Sequence, residues 1–137
     1  MGLVLDSRVL VATERQALAV SSLLDRLRER YNLTEIVLSA ISVVELEHGV
    51  YRANSAQRAS KRRTYLDTIF AAIPVEPFTF GIGKITAQID AEARVNGVTI
   101  PLADLLIGGT ALYIGYDLVT SNVRHFQKIP GLRVIPF

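Results

Sequence analysis

The feature that most constrains the fold is the stretch at residues 100–126, IPLADLLIGGTALYIGYDLVTSNVRHF. Asp104 opens an almost wholly apolar helical run over residues 105–113, with Gly115 as its stop. The short β-type run Leu118-Val119-Thr120 follows and ends at Asn122. A helix apolar on nearly every side is a buried one. An acid in a first helical turn complements the positive end of the macrodipole. Here it is also held at the edge of a core, beside the carboxyl end of the following strand. That edge is where open α/β sheets bind their ligands, so the rest of the chain matters chiefly for what else it brings there.

A chain of 137 residues suits a single domain, 1–137, with a sizeable core. Half of it is hydrophobic and its mean hydropathy is +0.31, which fits a globular protein and not a disordered one. That apolar fraction, beside 20% charged residues, is high for a monomer and hints at a buried interface. No apolar run approaches the ~18 residues of a spanning helix, so no membrane association is expected. The start, MGLVLD, lacks a basic region and meets an acid too early for a secretory signal. Cysteine is absent, which excludes disulfides and Cys-ligated zinc or iron–sulfur sites, and a reducing cytoplasm is the expected location. Lys and Arg outnumber Asp and Glu by 15 to 13, for a net charge of +2 and a pI near 9.2. So small an excess says little about a polyanionic partner; its distribution says more.

Taken in order, Leu3-Val4-Leu5 reads as a short buried strand of parallel-sheet type, ending on Asp6-Ser7. An acid at a strand's carboxyl end points into the crevice above the sheet. Taken alone, a turn-initiating Asp bonded to its own backbone accounts for it better. Ser7 is placed to cap the segment after it. Residues 13–30 show one helical pattern, with Val20, Leu23, Leu24 and Leu27 on a common face. Ile36-Val37-Leu38 is a second strand, and Ser39 offers an N-cap for a helix to about Tyr51. Glu45 on that helix borders the apolar stripe, although spacing alone favours an ordinary helix-face role for it.

Residues 52–63 carry Arg52, Arg58, Lys61, Arg62 and Arg63 and no acid. Arg58, Lys61, Arg62 and Tyr65 share one helical face, which suits either solubility or contact with a phosphate backbone. Ile73-Pro74-Val75 is a third strand, placed by Pro74 at an edge or an early position. A helix bearing Ile82, Ile85 and Ile89 then runs to Asn96-Gly97, with Asp90 and Glu92 on its solvated face. Residues 123–128 form a short helix or turn, and residues 132–135 a final strand. Strand and helix patterns thus alternate throughout, which predicts an α/β fold with a central, mainly parallel sheet between two helical layers.

Right-handed crossovers put every strand's carboxyl end on one side. Asp6 and residues 120–122 then meet there, Asp104 joins them at a helix start, and Glu45 is within reach. Three acids converging without an obvious Arg or Lys partner are unfavourable unless a cation sits among them. Oxygen ligands alone select Mg²⁺ or Mn²⁺ over zinc. Such a site activates water and neutralises charge on a phosphodiester during in-line displacement. No glycine-rich phosphate loop follows a strand, so a nucleotide cofactor is unsupported. Neither His48 nor His125 is placed for Ser-His-Asp catalysis.

Four blocks carry a specific resemblance: LDS at residues 5–7, SVVELEHG at 42–49, DLLIGGTA at 104–111 and LVTSNVRHF at 118–126. In order and spacing they are similar to the signature blocks of PIN-domain ribonucleases, and the closing IPGLRV at 129–134 resembles the tail of VapC toxins from bacterial VapBC toxin–antitoxin pairs. The resemblance spans the chain. It implies a three-layer PIN-like fold and a Mg²⁺-dependent endoribonuclease (Mn²⁺ being the other candidate ion) that cuts structured RNA. It also implies a homodimer blocked by a cognate VapB-type antitoxin. Position by position, Asp6, Glu45 and Asp104 resemble the metal-binding acids, and Asn122 the fourth site position, which is Asp or Asn. Thr120 resembles the hydroxyl that positions an acid, and Ser7 the hydroxyl that follows the first one. The resemblance thereby reverses the reading of Glu45 from spacing.

Two positions depart from that pattern. Arg8 stands where the family usually has a small polar residue; it either clasps substrate phosphate or intrudes and pairs with Asp6. Asn122 supplies no charge, so a second metal would be held weakly or not at all. His125 stands where some relatives carry an acid, and an exposed side chain without a role is favoured there over a contact to metal or phosphate. Arg8, Arg58, Arg62 and Arg124 are the candidate RNA contacts. The rival expectation is a catalytically weakened PIN-like module that binds RNA or antitoxin. The antitoxin would lay a helix or strand into the crevice and place a basic side chain among the acids.

Overall fold

The computed structural model describes residues 2–32 and 35–137. Strands β1 (Gly2–Leu5), β2 (Glu35–Ser39), β3 (Val75–Glu76), β4 (Asp117–Thr120) and β5 (Val134–Pro136) form one sheet, in the order β3-β2-β1-β4-β5. Every pairing is parallel, as the alternating pattern predicts. Between the strands run α1 (Ser7–Arg15), α2 (Val20–Tyr31), α3 (Ala40–Tyr51), α4 (Ala56–Ala72), α5 (Phe80–Val95), α6 (Leu102–Ile114) and the short α7 (Val123–Phe126).

The strands are apolar without interruption because both faces of the sheet are covered. Side chains alternate between the faces. Leu3, Leu5, Ile36, Leu38 and Val119 share a core with Leu10, Leu23, Leu27, Leu66 and Ile69 from α1, α2 and α4. Val4, Val37 and Leu118 face the other way, onto Ile89, Leu105, Ile107 and Phe126 from α5, α6 and α7. This is the expected three-layer α/β/α arrangement. Helix α6 is buried along most of its length, and Gly109 lets it approach α5: a Cβ there would overlap the Thr86 hydroxyl. Gly115, at φ 74°, ends it in the left-handed region that favours glycine.

The structure corrects several expectations. The single helix expected over residues 13–30 is two, α1 and α2. Helix α1 closes with the Leu18 N–H donating to the Thr13 carbonyl, and Ala17 adopts φ 54°. No glycine marks that stop, so periodicity runs through it unbroken. Ser7 does not cap α1; Asp6 occupies the N-cap position, in extended geometry and without a side-chain capping bond. Ser39 does cap α3, accepting from the Ile41 N–H. β3 and β5 lie one or more residues later than expected, and β3 is at an edge, as Pro74 requires.

Strands β2 and β4 flank β1 on opposite sides, so the chain reverses its direction across the sheet between β1 and β4. Ligands of open α/β sheets lie at the carboxyl ends of strands at such a reversal. The Asp6 N–H donates to the Val119 carbonyl at 2.9 Å, joining the two strand ends there.

Candidate active site

Asp6 follows β1 and is fully buried. Its backbone is extended and its carboxylate turns into the crevice instead of back to α1. The Thr120 hydroxyl, at the end of β4, donates to Asp6 Oδ2 at 2.7 Å, and the same hydroxyl oxygen accepts from the Asn122 N–H at 2.9 Å. One β4 residue therefore fixes both the first acid and the turn that comes next. Ser7, the first residue of α1, donates to Glu45 Oε1 on α3 at 2.9 Å. That bond pulls a helix-face glutamate into the crevice, which spacing could not disclose.

Asp104, in the first turn of α6, is 1% exposed. Its Oδ2 lies 2.6 Å from His125 Nδ1, and the Asn122 side-chain amide lies 2.9 Å from that same nitrogen. An ionised carboxylate only accepts hydrogen bonds, so Nδ1 carries the proton and donates to Asp104. The Asn122 amide is then best satisfied with its oxygen on that side. His125 is thus a clamp on Asp104 and not the idle exposed residue expected from the sequence. Its position three residues after Asn122, one helical turn on, is the available signal.

Arg8 completes the group. Its Nη1 donates to Asp6 Oδ2 at 2.9 Å and to Asp104 Oδ1 at 3.0 Å, so one nitrogen bridges two buried carboxylates. Burial opposes the guanidinium charge, but the bonds to Asp104 and Asp6 and their attraction outweigh it, and its pKa lies above the ordinary range. The expectation that the acids meet without a cationic partner is therefore wrong: of the two readings of Arg8, the structure takes the one in which it intrudes and pairs. Two residues past Asp6, in the first turn of α1, it is carried straight to the gap between two helix starts. In Glu45, by contrast, the charged form is the one disfavoured. Partial burial raises its pKa, the Ser7 bond opposes this, and the charges of Asp6 and Asp104 add to the rise.

Three carboxylates against one guanidinium leave the site net negative. The donors are oxygens, the set that suits Mg²⁺ or Mn²⁺. Asp6 Oδ1 is buried and has no hydrogen-bond partner among the described residues, an orphan that a cation would satisfy. Among those residues no three acid or histidine side chains are drawn together tightly enough to grip an ion as they stand. Arg8 lies between Asp6 and Asp104, in the place a cation would take. The residues fit a divalent ion once that guanidinium moves aside.

The other candidate contacts lie elsewhere. Arg58 and Arg62 on α4 line a cavity with Glu14 and Lys61, and Arg62 Nε sits 2.8 Å from Glu14 Oε1. Arg124 is exposed on α7. Glu47 pairs with Arg63 through two bonds of 2.7 Å, and Asp90 pairs with Arg94, which leaves both in surface roles.

This chain is similar to known proteins along nearly its whole length. The family model of the PIN domain matches residues 3–132. Ribonuclease VapC1 of Rickettsia felis is 28% identical over 135 residues, covering 98% of this chain and 96% of the relative. The tRNA(fMet)-specific endonuclease VapC of Shigella flexneri is 30% identical over 108 residues, 77% of this chain and 80% of that one. Among solved structures, VapBC2 from Rickettsia felis bound to a promoter DNA fragment superposes with a TM-score of 0.87 at 23% identity, covering 100% of this chain and 99% of that one. DNA-bound VapBC from Salmonella typhimurium gives 0.83 at 25% identity, with 99% and 98% covered.

Proposed function

Because the chain belongs to the PIN-domain family and to its VapC ribonucleases, we propose that it is a metal-dependent endoribonuclease that hydrolyses phosphodiester bonds of structured RNA. In this reading it is the toxin of a VapBC-type pair, restrained in the cytoplasm by a cognate antitoxin and acting as a homodimer. Among the described residues no helix is long and apolar enough to cross a membrane. The observation that supports the reading is that Asp6 and Asp104 share one Arg8 nitrogen at the β1/β4 reversal, with Glu45 held by the neighbouring Ser7 and the buried Asp6 Oδ1 unpartnered among the described residues.

Asp6, Glu45 and Asp104 would hold Mg²⁺ or Mn²⁺, and such an ion supplies Lewis-acid stabilisation of the phosphodiester and makes water a better nucleophile. The protein's own part is orientation. Thr120 fixes Asp6 Oδ2, Ser7 fixes Glu45 Oε1, and His125 with Asn122 fixes Asp104 Oδ2. Preorganised carboxylates need not rearrange as charge develops. Arg8, displaced from Asp6 and Asp104, is free to meet a phosphate oxygen with a planar donor group. The protein stripped with chelator should leave structured RNA intact and cut it when Mg²⁺ or Mn²⁺ returns, while DNA in a parallel assay stays whole. Undiminished RNA cleavage in chelator would sink the reading.

The raised pKa of Glu45 has a pH consequence. Below its elevated value the carboxyl is protonated and a poor ligand, whereas a bound cation favours the ionised form. Mn²⁺ affinity should therefore rise with pH across the range just above the ordinary glutamate value, with proton release on binding. Without a cation the linkage runs the other way: an acid easier to protonate folded than unfolded costs stability as pH rises through that range. Titration calorimetry in buffers of different ionisation enthalpy checks the first effect, and Glu45→Gln should flatten it.

One observation also favours a second reading. Arg8 already satisfies two of the acids, as a site silenced for catalysis and kept for RNA or antitoxin binding would have it. Such a module would take up no Mn²⁺ in a manner dependent on Asp6 or Asp104.

A further inference from the structure

Two cavities run in succession away from the carboxylates, on the side of α1 facing β4 and β5. The first, about 530 Å³, is lined by Ser7, Arg8, Val11, Ala12, Arg15 and Gln16, with Ser121. The second, about 420 Å³, begins where the first ends, sharing Ala12, Gln16 and Ser121 with it, and continues to Arg26, Arg30, Tyr31 and Phe137. Each falls within the ~300–1,000 Å³ range of small-molecule sites. No acidic side chain lines either one among the described residues, although the chain carries 13 acids. Four arginines do.

Their placement is regular. Arg8 and Arg15 are seven residues apart on α1, two turns along one face and about 10 Å by helical rise, with Val11 and Ala12 between them. Arg26 and Arg30 are one turn apart on α2. The floor between these cations is apolar, from Leu18, Leu23 and Leu27. At the far end Arg30 stacks 5.5 Å from the Tyr31 ring centroid. Phe137 is exposed, and its backbone N–H donates to the Thr120 carbonyl at 3.0 Å, next to the site. Cations spaced along an apolar floor with aromatic faces are what a single strand needs: charge for phosphates, and flat surfaces for bases. An acidic peptide would use the arginines but not the aromatic end.

We propose that this groove, from Arg8 past Arg15 to Arg26, Arg30, Tyr31 and Phe137, is the track that holds a single-stranded segment of the RNA leading away from the scissile bond. The proposal rests on the nuclease reading for its direction, since the track starts at the site acids. It moves the main RNA contact from the basic face of α4, where Glu14 lines the cavity and pairs with Arg62, to α1 and α2, where no acid lines the groove among the described residues.

The test is fluorescence anisotropy with a labelled single-stranded RNA dodecamer, in chelator so that nothing is cut, across a salt series. Arg15→Glu with Arg30→Glu should weaken binding at least tenfold and make the plot of log affinity against log salt shallower by about 1.4, at ~0.7 per lost phosphate contact. Phe137→Ala should weaken binding about fivefold or more with the slope unchanged. Lys84→Glu with Arg94→Glu on α5 makes the same charge change away from the track and should shift affinity less than threefold. Equal weakening by the α5 pair, or wild-type affinity in the Arg15/Arg30 pair, overturns the proposal, as does an acidic peptide that binds through these arginines where the RNA does not. Cleavage in Mg²⁺ is scored separately. RNA bound on the track but never cut defeats the nuclease reading and leaves the track; RNA cut normally by the Arg15/Arg30 pair defeats the track and leaves the nuclease.

Discussion

Asp104→Asn is expected to lower RNA cleavage at least ~10³-fold while leaving the melting temperature and circular dichroism spectrum almost unchanged. The substitution removes one charge and almost no volume. Asp104 Oδ1 now accepts from Arg8 and Oδ2 from His125. An amide keeps the first bond through its oxygen, and its nitrogen can donate to His125 Nδ1 once that ring takes the other tautomer. Because the position is 1% exposed, losing a partner without replacement would cost about 1–3 kcal/mol; here both are replaced. What disappears is a third of the anionic charge available to a divalent ion. The same variant should lose Mn²⁺ uptake, which separates lost ligation from an altered fold. Cleavage within tenfold of wild type would remove Asp104 from the chemistry and with it the shared-pocket reading of the acids.

Whether a feature is legible in the sequence depends on whether it is local. The all-parallel sheet is readable because its strands are apolar on both faces and alternate with helical patterns. Asp104 can be placed because a buried helix and the strand after it fix its position within a few residues. Glu45 cannot be placed from periodicity, because what turns it inward is a bond from Ser7, 38 residues away in the chain. His125 is misread for the same reason, its partner lying 21 residues back. Arg8 is readable only as an open choice. A cation beside Asp6 is evident in the sequence, but its second bond depends on Asp104, 96 residues distant. The α1/α2 break is invisible because Ala17 takes a left-handed conformation that sequence rules reserve chiefly for glycine and asparagine.

Arg8→Met is expected to destabilise the metal-free protein and to bind Mn²⁺ more tightly than wild type, the two effects being one coupling seen from either side. One guanidinium nitrogen of Arg8 is bonded to both Asp6 and Asp104. Removing one partner of a buried ion pair costs ~3–5 kcal/mol because the other charge is stranded. Arg8 is 38% exposed, so solvent screens part of this and about 2–3 kcal/mol remains. Two stranded carboxylates at the β1/β4 reversal are then the strongest available ligands for a hard cation, with no guanidinium to displace. Coupling is reciprocal, so a penalty of about 2 kcal/mol in the free protein should return as roughly thirtyfold tighter Mn²⁺ binding. Added Mn²⁺ should therefore raise the melting temperature of the variant more than that of wild type, and calorimetry should give the affinity ratio directly. If Arg8 serves only to hold substrate phosphate, cleavage falls but metal-free stability and Mn²⁺ affinity stay at wild-type values, and the picture of an internal cation standing in for the metal is lost. If cleavage falls while ion affinity rises, Arg8 has both roles: it neutralises the acids in the empty site and meets the phosphate once an ion has displaced it.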